Sequence, residues 1–119
     1  MPHFPVCDPS DPLAGLAINA NTCAVVMSHS YSQDEAFVRA LLPLPIRYLG
    51  VLGPRKRTDR MLNGAGAAHL HSPVGLDIGA DSPEEIALSI VSEIQASLAG
   101  RDGGMLRRRE GPIHDRSVA

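Results

Sequence analysis

The sequence predicts an α/β domain: a parallel sheet flanked by helices, with fewer strands than such sheets usually carry. Three observations point there. Residues 23–28 (C-A-V-V-M-S) and 46–52 (I-R-Y-L-G-V-L) are short, mainly apolar runs without alternation, as strands covered on both faces require. Each is followed by a segment with helix-start signals and a clear stop. Turn residues then separate a third, strongly patterned helix from them.

Residues 1–12 hold four prolines, at 2, 5, 9 and 12, so only a short extended piece around Val6 is expected there. A helical turn over 13–18 and a connecting turn over 19–22 lead into the first strand. Ser32 with Glu35 reads as a capping box for a helix over 33–42, which Pro43 and Pro45 end. After the second strand, Pro54 suits the first helical position, and that helix runs to about Leu62, where Asn63-Gly64-Ala65-Gly66 stops it. A glycine-rich loop over 71–80 contains a short expected strand at 74–78. Ser82, Pro83 and Glu85 open the clearest helix, with a second capping box and an apolar face of Ile86, Ile90, Ile94 and Leu98 flanked by Ala87 and Val91; Gly100 ends it. The division expected is an irregular segment over 1–19, the α/β domain over 20–100, and a polar tail over 101–119 that is disordered or ordered on contact. No internal repeat is visible.

At 119 residues the chain has room for one compact domain, burying about two-thirds of its unfolded surface. Aromatics are scarce (Phe4, Tyr31, Phe37, Tyr48, no Trp), which argues against a base-stacking platform for single-stranded nucleic acid. A formal net charge of −2 gives no global basic field, so attraction for anions must be local. Cys7 and Cys23 lack metal or disulfide spacing and suit a reduced protein; with no apolar run of membrane length, the expectation is a cytoplasmic chain that neither enters a membrane nor binds nucleic acid.

The most informative segment is Y-L-G-V-L-G-P-R-K-R-T-D-R, from Tyr48 to Arg60. It places Arg55, Lys56, Arg57 and Arg60 in the first turns of a helix, where the dipole already makes the end positive. Each such cation costs roughly 0.3–1 kcal/mol. The arrangement becomes favourable when an anion sits there, held by backbone donors and guanidinium groups. Against this stands a plain solvated face with Arg55 paired to Asp59. His29 closes the first strand and reaches the same edge, as a donor or acid–base group or as a loop histidine that caps local backbone, with Asp34 placed to orient it or to complement its own helix. Gly75 and Asp77 lie in the glycine-rich loop, the first where backbone turns sharply or approaches a ligand, the second placed to hold a hydroxyl, a ribose or a neighbouring amide; a tight structural loop is the equal alternative. His69 and His71, with His29 or His114, show no metal-site spacing. Catalytic residues are not identified.

Y-L-G-V-L-G-P-R-K-R at 48–57, H-S-P-V-G-L-D-I-G-A at 71–80 and S-P-E-E-I-A-L-S-I-V-S-E-I at 82–94 closely resemble the C-terminal Rossmann-like domain of the XdhC/CoxI family, with V-V-M-S-H at 25–29 and G-P-I-H-D at 111–115 adding to the match. The resemblance covers about residues 20–116. It implies a Rossmann-like sheet and a role as accessory protein for xanthine dehydrogenase-type molybdenum hydroxylases. Such proteins bind molybdenum cofactor (molybdopterin), protect it, help it acquire its terminal sulfur and deliver it to the apo-enzyme. The binding residues then expected are His29, Gly53, Arg55, Lys56, Arg57, Gly75 and Asp77. The family's N-terminal domain with its Gly-Gly-Cys motif has no counterpart here, nor does the first strand–turn–helix of the Rossmann half, and neither cysteine matches the motif. The resemblance therefore implies a truncated product, a subunit that works with a separate N-terminal domain or as a homo-oligomer, or a weakly binding fragment. An NAD(P)-binding oxidoreductase domain is the alternative, weakened by the absence of G-x-G-x-x-G after a first strand. A non-catalytic module pairing through an exposed sheet edge is a third.

Overall fold

The computed structural model describes Leu13 and residues 15–114; the piece expected around Val6 lies outside them. The fold is α/β and Rossmann-like, built from three parallel strands and three α-helices in the order β1 (Cys23–Val26), α1 (Tyr31–Leu41), β2 (Tyr48–Val51), α2 (Arg55–Leu62), β3 (Leu70–His71) and α3 (Pro83–Leu98). The sheet order is β1-β2-β3. Cys23 registers with Tyr48 and Val26 with Val51, while Leu49 and Gly50 face Leu70 and His71.

Alternation along β2 divides the core. Leu49 and Val51 point to the face covered by α1 and α2, where they join Val26, Val38, Leu41, Ile46, Met61 and Leu62. Tyr48 and Gly50 point to the other face, where α3 and the segment after β3 lie. Gly50 is bare because Val74 rests on it: a Cβ there would run into the Val74 side chain and come within 2.9 Å of the Tyr48 ring.

Several boundaries differ from expectation. Helix α1 starts two residues early, with Ser30 as its cap, accepting from the Gln33 amide at 3.4 Å, and Ser32 inside the first turn. The cause is Asp34, which takes both the amide and hydroxyl of Ser28 and turns the chain directly after β1. Glu35 instead faces Arg39 at 3.8 Å. Pro54 is the N-cap of α2, not its first residue, because its ψ of 148° is still extended. Asn63 ends that helix in the left-handed conformation (φ 51°).

The third strand is Leu70–His71, not 74–78. A strand exists by pairing, and pairing with β2 is made by residues too few to show a pattern. Val74 makes one bond to the sheet, its N–H donating to Val51 O at 3.1 Å, before the chain leaves toward α3. The capping box of α3 is present in both directions between Ser82 and Glu85. Its inward face is Ile86, Ser89, Ile90 and Ile94, whereas Leu98 is 46% exposed and Leu88 and Val91 more so. Beyond it the chain to residue 114 stays close: the Arg101 amide donates to Ala96 O, a Gly103 Cβ would meet Leu76, and Leu106–Arg108 form a 3-10 turn.

Candidate functional site: an anion-receptive sheet edge

Parallel strands finish on one side of a sheet, and open α/β sheets bind ligands there. On that side β1 runs into Ser28 and His29, β2 into Leu52 and Gly53, and β3 into Ser72. Gly53 has φ 109°, a conformation that needs glycine, and an added Cβ would meet only the Arg57 side chain, at 3.6 and 3.7 Å. The approach to its backbone is otherwise open.

Pro54 then caps α2 without supplying a side-chain acceptor, and the first turn contains no acid. The amides of Arg57 and Thr58 return to Pro54 O at 3.0 and 3.4 Å. Those of Arg55 and Lys56 precede any carbonyl that could receive them within the helix. A helix start with two free donors, an open glycine beside it and no acid is suited to an anion.

The cations divide into two kinds. Arg55 and Lys56 are exposed, and Arg55 makes only a long 3.4 Å contact from Nε to Ser72 O. Arg57 is tied into the fold, yet its Nη1 stays 3.7 Å from where a Gly53 Cβ would stand. Its guanidinium meets the Asp34 carboxylate at 3.1 Å and lies over the Tyr31 ring, 5.2 Å from the centroid. Asp34, 1% exposed, is neither a partner of His29 nor merely a first-turn acid; it joins β1, α1 and α2. His29 is exposed at the β1 end of the same edge. Thr58, buried beneath, accepts from the Ser72 hydroxyl at 2.7 Å and ties α2 to the end of β3.

The loop after β3 splits its two candidates. Asp77 is exposed and lines a shallow cavity of about 230 Å³ with Leu52, Gly79 and Ile86. Gly75 faces α3: its N–H donates to Glu93 at 3.0 Å, and the Ser89 hydroxyl occupies the space a Cβ would need. The edge thus gathers Gly53, Arg55 and Lys56 at one helix start, with His29 on the neighbouring strand end and Asp77 across Leu52. Gly75 serves packing.

Sequence reasoning missed a polar cluster under α3. Tyr48, fully buried, donates to Glu93 at 2.6 Å, His71 Nδ1 lies 3.3 Å from the same oxygen, and the His71 ring stacks on Tyr48 at 4.4 Å. Burial, and then the bond to Glu93, push the Tyr48 phenol far above its ordinary value of 10.0. The available signal was Glu93 itself, an acid at i+3 from Ile90 and i+7 from Ile86, on the stripe that faces inward. Among the described residues no three His, Cys, Asp or Glu converge as for a metal.

Comparison with known proteins places this architecture. Residues 2–94 match the XdhC Rossmann domain family model. Over 87 residues the chain is 41% identical to a probable xanthine dehydrogenase subunit of Bacillus subtilis (strain 168), covering 72% of this chain and 26% of that protein. Over 95 residues it is 34% identical to the uncharacterized protein YqeB of Escherichia coli (strain K12), covering 73% and 18%. The crystal structure of a xanthine dehydrogenase from Bacillus halodurans superposes with a TM-score of 0.72 at 38% identity, over 79% of this chain and 28% of that one. The chain therefore spans about a quarter or less of the curated relatives' length. With residues 2–94 matched and two relatives 41% and 34% identical over most of its length, this chain belongs to the XdhC family through its Rossmann domain.

Proposed function

We propose that the chain is a maturation factor that binds molybdenum cofactor and assists its insertion into a xanthine dehydrogenase-type molybdenum hydroxylase. The observation that carries the reading is the uncapped, acid-free start of α2 beside the open Gly53. Family membership and the relatives' names supply the enzyme class. Molybdopterin ends in a phosphate or nucleotide diphosphate, and the residues present fit that end: two helix amides, the Gly53 backbone and the exposed charges of Arg55 and Lys56. Asp34 orients Arg57, whose Nη1 lies beside Gly53, and so fixes one wall on which the anion rests. His29 and Asp77 border the remainder of the ligand. When bound, the cofactor brings molybdenum redox chemistry to its client; this chain holds and presents it, with a role as binder, not catalyst, in the cytoplasm.

The test is a titration of the purified protein with molybdopterin and, separately, with NAD(H), by calorimetry. Micromolar binding of the pterin that falls about tenfold or more in Arg55→Ala/Lys56→Ala, with thermal stability unchanged, is the expected result. Binding of NAD(H) without the pterin overturns it.

A further inference from the structure

Helix α3 has two apolar faces, and the outer one carries an inference that goes beyond cofactor binding. Ile86, Ser89 and Ile90 turn inward, yet Leu88 and Val91 are 60% and 63% exposed, and Leu98 is exposed with them. Together with Glu84 and Gln95 they recur at alternating steps of four and three residues, which makes one seam along the helix. Ala87 and Ala99 flank the seam and let a second helix approach closely. Beside its C-terminal half runs a groove of about 750 Å³, lined by Val91, Gln95, Ala96 and Ala99 on one side and Ile113 on the other. Leu88 projects from the same side of the helix, one turn before that groove begins. A projection and a groove offset along one surface are self-complementary about a two-fold axis, where each copy fills the other.

We propose that this face is a self-association surface, on which two copies of the chain pair through antiparallel α3 helices. Charge sets the direction. Residues 81–85 hold three acids and no base, whereas 101–109 hold four arginines against one acid, with Arg107 and Arg108 exposed among them. Between those ends the seam itself is uncharged, because Glu93 turns inward to Tyr48. Parallel pairing would set acids on acids, while antiparallel pairing brings each acidic helix start to the other copy's arginines and opposes the two helix dipoles. Val91 lies midway between Glu84 and Leu98, so it meets its own counterpart at the axis. Glu84 then stands opposite Leu98 of the second copy, Ala87 opposite Gln95, and Leu88 enters the groove.

The experiment is sedimentation velocity on the full 119-residue chain, followed by thiol cross-linking. A monomer–dimer equilibrium with a Kd of about 1–50 µM is expected. Leu88→Glu and Val91→Glu should each weaken it about tenfold or more, without lowering the melting temperature of the dilute monomer. Rising salt should weaken it too, because the pairing of acids with arginines is screened. In a chain carrying Cys7→Ser and Cys23→Ser, Val91→Cys should link to itself, whereas Glu84→Cys and Leu98→Cys should link only when the two proteins are mixed. A chain that stays monomeric at about 200 µM overturns the proposal. So does a dimer unmoved by both glutamate variants, or Glu84→Cys linking to itself as readily as to Leu98→Cys.

Discussion

Arg57 on α2 meets Asp34 on α1 at 3.1 Å, and Asp34 in turn takes the Ser28 amide at the end of β1. One buried carboxylate thus joins three elements at the ligand edge. Removing either partner leaves the other group poorly satisfied, so Asp34→Ala and Arg57→Ala should each destabilise the fold by about 2–3 kcal/mol. The double variant should lose less than the two singles together. Urea unfolding of the four proteins measures the coupling; strictly additive losses refute it.

Tyr48 makes alkaline stability asymmetric. Its folded-state ionisation lies above the ordinary 10.0, so beyond that pH the unfolded chain releases a proton that the folded one retains. Stability is fully present below pH 10 and falls as pH rises above it. The Tyr48 share of phenolate absorbance should appear together with loss of helical circular dichroism, and Tyr48→Phe should remove that share and flatten the alkaline decline.

Glu85 acts at the acid end. Backbone donation from Ser82, then Asp81, lowers its carboxyl below 4.5. A depressed carboxyl stabilises above its unfolded value, and the contribution is lost as pH falls through the folded one. Glu85→Gln should therefore narrow its stability gap to the parent below pH 4.5. A gap that stays constant with pH in thermal melts counts against the assignment.

Gly50→Ala should cost about 1–3 kcal/mol, the usual range for overpacking a full site. Its Cβ would press on Val74 and the Tyr48 ring. Adding Val74→Ala should restore part of the loss, read as the unfolding midpoint in denaturant.

Legibility in the sequence followed the physics of each signal. Local chemistry was readable: the Ser82–Glu85 box, the Asn63 stop and the two apolar strands all rest on neighbours in the chain. Features made by distant partners were not. Leu70–His71 is a strand only because Leu49 and Gly50 lie beside it. Asp34 looks like any first-turn acid until α2 brings Arg57 to it. Glu93 looks like a surface carboxylate until Tyr48, His71 and Gly75 meet it across α3. At the edge, the charge anomaly after β2 was legible, whereas the pairing of Arg57 with Asp34, which sets it apart from the exposed Arg55 and Lys56, required the fold.

Cys23 is a free, half-buried thiol on the wall of the cavity beside β1. An accessible thiol is the one that reacts, so the alkylation rate of this sulfur reports how open the cavity wall beside β1 is. With Cys7→Ser removing the second thiol, the purified chain carries a single sulfur to read.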